Sequence, residues 1–72
     1  MIVKMTKLKD SDTAEYKNHI EEGKEVIGEI KELPKVGECF YVGMNYRTST
    51  VKEIISLTRF RTNNSIYDLQ DA

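Results

Sequence analysis

The sequence predicts a mainly β protein, a small SH3-like or related barrel of four to five strands. Three observations carry that prediction. Short runs rich in Val, Ile, Phe, Tyr and Thr recur at the close, even spacing of small barrels. Turn-forming residues stand between them: Pro34, Gly37, Gly43 and the pair Asn63-Asn64. Only one segment, residues 13–22, carries helical signals, and its apolar stripe is two residues wide.

Met1, Val3 and Met5 alternate with Lys4 and Thr6, the period of a strand with one buried face. In SDTAEYKNHIEEG, Asp12 and Glu15 have capping-box spacing, Tyr16 and Ile20 lie one helical turn apart, and Gly23 suits a C-terminal stop. A short helix over residues 13–22 is the reading, and a charged loop is its competitor. EVIGEIKEL then sets Val26, Gly28 and Ile30 on one side of a half-buried strand. A glycine inside a strand marks a bulge, a tight bend or a close backbone approach.

Pro34 and Gly37 punctuate a turn before ECFYVGM, a strand with Phe40 and Val42 on one face and Cys39 and Tyr41 on the other. GMNYRTS reads as a loop. VKEIISL breaks strict alternation, since Val51 and Ile54 have opposite parity; a β-bulge or a sharp bend reconciles them, and a helical turn through Val51, Ile54 and Ile55 is the alternative. Asn63-Asn64 between two strand-like runs suits a two-residue type I′ hairpin, whose positive φ asparagine tolerates.

The 72 residues form one domain, spanning 1–72. A chain this short buries roughly 60% of the surface its unfolded form exposes, so its core is thin. Small scaffolds compensate with disulfides, a metal or a partner subunit. With one cysteine, Cys39, and one histidine, His19, neither an intrachain disulfide nor a Cys/His zinc site is available. Self-association is therefore expected as an alternative to tight barrel packing alone. The single thiol suits a reducing compartment, and the opening MIVKMTKLKD has no uninterrupted apolar run; a cytoplasmic location is the expectation.

Eleven basic and twelve acidic residues nearly cancel. Their distribution is uneven. Asp10, Asp12, Glu15, Glu21, Glu22, Glu25, Glu29 and Glu32 crowd the middle of the chain, while Arg47, Lys52, Arg59 and Arg61 face Glu53 alone further on. Fixed carboxylates on one face can occupy a basic groove on another protein, since they satisfy the same Arg and Lys donors as a phosphate backbone. A solvated acidic face is the plainer reading. His19 reads as a surface histidine. Cys39, with no histidine near it in sequence to act as a base, reads as a structural thiol.

Tyr41, Tyr46, Phe60 and Tyr67 mixed with Arg47, Arg59 and Arg61 resemble a single-strand nucleic-acid surface, but barrel cores use the same aromatics. Phe60 and Tyr67 are expected in the core or at its rim, and Tyr41 and Tyr46 nearer the surface. Two polar clusters remain, Arg47-Thr48-Ser49-Thr50 and Thr62-Asn63-Asn64-Ser65. Turn chemistry explains them first. A ligand pocket lined by Arg47, Thr48, Ser49, Asn64, Ser65 and Tyr67 is the alternative, because hydroxyls beside one guanidinium suit a phosphate.

The stretches RTSTVKEI and FRTNNSIYDL resemble a pattern in short phage and mobile-element proteins of undescribed function: R-T-S-x-V-x-x-I followed by F-x-T-x-N-S-x-Y-x-L. Arg47, Thr48, Ser49, Val51, Ile54, Phe60, Thr62, Asn64, Ser65, Tyr67 and Leu69 carry the match, over about the last third of the chain. The acidic middle has no counterpart in the pattern. The resemblance implies a phage setting, in which very small proteins commonly inhibit host defences.

The leading expectation is thus a non-enzymatic phage-type inhibitor that blocks a host protein, a bacterial defence effector such as a CRISPR component. Glu21, Glu22, Glu25, Tyr41 and Tyr46 would form its partner-binding face. A sponge for a nucleotide immune signal, using the RTS and TNNS clusters, is the second expectation. A small nucleic-acid-binding regulator is the third. No His–carboxylate pairing, glycine-rich phosphate loop or metal motif points to an enzyme, and no cofactor is expected.

Overall fold

The computed structural model describes residues 1–12, 22–44 and 46–72. Six strands follow one another: β1 (Ile2–Asp10), β2 (Glu25–Glu29), β3 (Cys39–Val42), β4 (Tyr46–Ile54), β5 (Arg59–Thr62) and β6 (Ser65–Asp71). They form one antiparallel sheet in the order β2-β1-β6-β5-β4-β3. The sheet curls until its two end strands meet, giving a small, nearly closed β-barrel. The expected barrel is present, with six strands in place of four to five. The helix expected over residues 13–22 lies outside the described residues except for Glu22, which sits in a turn with Gly23. Among the described residues, no helix is long and apolar enough to cross a membrane.

The additional strand length comes from a correction to the GMNYRTS reading. Residues 46–50 are the first half of β4, with Tyr46 opposite Val42 and Arg47 opposite Tyr41. Tyrosine and threonine fit a pleated, half-buried surface well, so these residues join the strand and not the loop. The parity break in VKEIISL is the expected bulge: the β4–β5 register shifts between Val51 and Glu53. Val51 is fully buried upstream of it, and downstream Ile54 pairs with Phe60 in register and is exposed.

The Asn63-Asn64 hairpin forms, but not as a type I′ turn. Neither asparagine has positive φ. The turn is held by Thr62 instead, whose buried Oγ1 accepts the backbone N–H of Asn64 (3.3 Å) and of Ser65 (3.1 Å) and donates to the Ser65 carbonyl (3.2 Å). A side-chain oxygen satisfying two turn amides removes the need for left-handed backbone.

Val3, Met5, Ile30, Phe40, Val42, Val51, Phe60, Tyr67 and Leu69 form the core. Its centre is aromatic: the Phe60 ring meets Phe40 edge-on at 5.2 Å and lies tilted against Tyr67 at 5.4 Å. Phe60 and Tyr67, expected in the core or at its rim, are thus core residues. At one end of the barrel the interior turns polar. Lys7 is 1% exposed, with Nζ 2.6 Å from Asp10 Oδ1; Asp10 pairs in register with buried Ser65, and Ser11 and Thr62 are buried as well. Burying an ammonium is tolerable only when it is paired and hydrogen-bonded, and among the described residues no buried side-chain polar atom lacks a partner.

The seam between β2 and β3 depends on Gly28. The Gly43 amide donates to the Glu29 carbonyl at 2.8 Å, and a Cβ on Gly28 would lie 3.1 Å from both Gly43 N and Val42 Cγ1. The close backbone approach expected of a strand glycine is realised here. Gly28→Val should therefore part the seam and destabilise the barrel by about 1–3 kcal/mol, the range for overpacking. Denaturant unfolding measures it; a valine variant as stable as the parent would show that the seam is not closed in solution.

Candidate functional site

A concavity lies beside this seam. It is a groove of about 500 Å³ lined by the 31–35 segment, by β3 and by the hairpin that follows it. That volume is in the range of ligand and anchor sites. Phe40, buried, forms its back wall; Leu33, Tyr41 and Met44 stand at its mouth, 60%, 58% and 98% exposed. Cys39, half-buried, contributes a thiol edge. Glu29, Lys31, Glu32, Lys35 and Glu38 form a rim of mixed sign, in which Lys35 and Glu32 pair at 3.3 Å.

Local chain geometry explains why apolar side chains stand in water here. Alternation along β3 sends Phe40 and Val42 inward, so Tyr41 must face out. Met44 sits in the β3–β4 turn, next to Gly43 with φ +64, where a side chain has no sheet neighbour to cover it. Leu33 precedes Pro34 in a non-regular crossing segment. The backbone of β3 is itself braced: the Phe40 amide donates to Thr48 Oγ1 at 3.0 Å, across the register shift between Cys39 and Tyr41.

Of the expected partner-binding residues, Tyr41 lies in this groove. Glu22 and Glu25 are exposed, Glu25 with its carboxylate 3.4 Å from Lys4 Nζ. Glu21 lies outside the described residues, as does His19. Tyr46 is half-buried, and its hydroxyl is 3.3 Å from that of Tyr67. Burial first, and the Tyr67 hydroxyl second, push the Tyr46 phenol above its ordinary pKa, so it stays neutral. Tyr46 therefore braces the interior, and Tyr41 is the aromatic presented to solvent.

Of the six residues considered as a ligand pocket, Ser49 and Asn64 are brought together across the β4 and β5–β6 segments. Arg47 is exposed on the outer face, opposite Tyr41 in register, while Thr48 is buried, its Oγ1 accepting from Phe40 N and donating to the Ser49 carbonyl at 2.7 Å. Ser49 Oγ accepts the Asn64 amide at 3.2 Å, tying β4 to the β5–β6 turn. The Asn64 carbonyl accepts from Ser11 N (2.9 Å), and Asn63 N donates to the Thr50 carbonyl (3.0 Å). Ser65 is fully buried and Tyr67 is 4% exposed. Neither the groove nor the smaller cavity lined by Leu33, Ile54 and Phe60 includes any of the six. Both polar clusters join strands and turns to each other.

Two of the four cations of the basic stretch are paired in place, while Arg47 and Lys52 are exposed. Arg59 Nε is 3.8 Å from Asp68 Oδ1, and Arg61 Nε is 3.2 Å from Glu53 Oε1. A surface meant for a phosphate backbone keeps its cations available. Among the described residues, no group of three or more His, Cys, Asp or Glu side chains is placed to hold a metal.

Compared with protein-family models, curated proteins and solved structures, the chain matches none. The groove therefore has to be read from its own chemistry. Sequence reasoning named Tyr41 but missed Leu33, Met44 and the charged rim. The available signal was an apolar residue inside a turn, Leu33 before Pro34 and Met44 after Gly43, where burial is hardest to arrange.

Proposed function

We propose that the protein acts by binding, without chemistry of its own, as a phage-type inhibitor that occupies and blocks a host protein, a bacterial defence effector. The observation that carries the binding part is the seam-side groove. An exposed tyrosine, a flexible methionine and a leucine surround one concavity, and a mixed-charge rim encloses them. Interface hot spots have this form: an aromatic anchor and adaptable apolar side chains at the centre, with polar groups around them. The host setting rests on the resemblance of RTSTVKEI and FRTNNSIYDL to phage and mobile-element proteins.

The acidic stretch adds steering. Exposed Glu22 and Glu25, with Glu29 on the groove rim, lie along the chain that leads into β2 and through it to the seam. Such charge speeds encounter with a basic partner and disfavours acidic ones. Replacing Glu21, Glu22 and Glu25 together by lysine is expected to abolish capture of the host protein from lysate and to leave the circular dichroism spectrum unchanged. Undiminished capture by the triple variant would rule out the acidic face as part of the binding surface.

A further inference from the structure

The groove lies where the two end strands part. Among the described residues one backbone hydrogen bond crosses the seam, from Gly43 N to the Glu29 carbonyl. Extended in that register, Lys31 and Leu33 would fall opposite Tyr41 and Cys39. The chain turns away instead: the Ile30 amide donates to the Met1 carbonyl at 2.9 Å, and residues 31–32 form a bend. The space left between the departing 31–35 segment and β3 is the groove.

Strand geometry decides what β3 offers to that space. Successive backbone groups point to opposite sides of a strand. The Phe40 amide is turned towards β4, where it meets Thr48 Oγ1, and the Glu38 carbonyl accepts from Val51 N on the same side. The Gly43 amide is turned the other way, towards Glu29. The register shift near Phe40 places its extra residue on β4, so β3 keeps its alternation. The N–H and C=O of Cys39 and Tyr41 therefore face the groove, where no backbone group meets them among the described residues. Natural sheets guard such an edge with a charge or a proline. The strand CFYV has neither.

An unguarded edge accepts an extended segment, whose main chain supplies the missing partners while alternate side chains enter the groove. Charge selects which segment. The rim carries Glu29, Glu32 and Glu38 against Lys31 and Lys35, and Lys35 pairs with Glu32. Edge-to-edge pairing of two copies would bring two rims of net negative charge together, whereas a basic segment is complementary. We infer that the groove takes an extended, basic peptide segment of the partner, added antiparallel to β3 and hydrogen-bonded to the backbone of Cys39 and Tyr41, with an aliphatic side chain against Phe40. This rests on the binding reading of the groove given above and adds the conformation and charge of what enters it.

NMR of the isotope-labelled full chain, titrated with an acetylated octapeptide of alternating valine and arginine, tests it. Saturable binding is expected, with hydrogen exchange slowed at the Cys39 and Tyr41 amides and cross-strand contacts from the peptide to β3. With valine against Phe40, the arginines fall opposite Cys39 and Tyr41 and carry the main-chain bonds. The same peptide N-methylated at its arginines should therefore bind at least about tenfold more weakly. Glu29→Lys combined with Glu38→Lys, both exposed, should weaken the unmodified peptide by a similar factor and leave the fold unchanged. Absent binding, a double variant that binds like the parent, or Cys39 and Tyr41 amides already protected before peptide is added, as a second copy on the edge would make them, overturns the inference. Equal binding of the N-methylated peptide overturns strand addition too and leaves the groove a side-chain site; the host-protein reading fails separately, by lysate capture.

Discussion

Phe60→Ala is expected to lower the unfolding free energy by about 3–5 kcal/mol, the cost of truncating a buried phenylalanine. The ring is 1% exposed and spans the barrel: Phe40 reaches it from β3, which does not pair with β5, and Tyr67 from the paired strand β6. Removing it opens a cavity that the strands cannot collapse, because both flanks are tied by ladder hydrogen bonds. At about 0.05–0.15 kcal/mol per residue a domain of this size has only about 4–11 kcal/mol in total. The variant should thus be largely unfolded in mild denaturant that leaves the parent native. Phe60→Leu, which keeps most of the volume, should cost under about 1.5 kcal/mol. Urea titrations followed by tyrosine fluorescence measure both. A Phe60→Ala variant with the parent's midpoint would mean that the aromatic cluster is not the core.

The barrel was legible in the sequence wherever side-chain alternation and burial coincide. Val3 and Met5, Phe40 and Val42, and Tyr67 and Leu69 follow period two and point inward. The bulge near Val51 was one of three readings of the parity break, beside a sharp bend and a helical turn, and Gly28 was legible because a strand glycine needs a reason. Lys7 was not. A lysine one step beyond Met5 on the inward face reads as the place where a strand leaves the core, and only the fold brings the Asp10 carboxylate to it. The Asn63-Asn64 turn misled for a related reason. Asparagine's tolerance of positive φ suggested one geometry, whereas the flanking Thr62 hydroxyl supplied another.

The candidate site was legible in part. Polar clusters with hydroxyls, amides and an arginine attract a ligand reading, yet Thr48, Ser49 and Thr62 spend their hydrogen bonds on neighbouring backbone. Turn chemistry, the first reading, accounts for them. The groove was hidden because Leu33, Tyr41 and Met44 belong to two segments joined only where the seam closes.

That groove carries the second large effect. The double variant Tyr41→Ala with Met44→Asp removes the aromatic anchor and puts a charge where an apolar contact is expected. Truncation of a central anchor alone costs about 2 kcal/mol or more, about thirtyfold in affinity, and the aspartate adds to it. Both side chains face solvent, so folding should be untouched. The decisive measurement is quantitative capture from bacterial lysate by the immobilised parent and the groove variant side by side. The account predicts one host protein retained by the parent and reduced at least about thirtyfold on the groove variant. Equal retention by parent and groove variant, or no host protein on the parent, would contradict it.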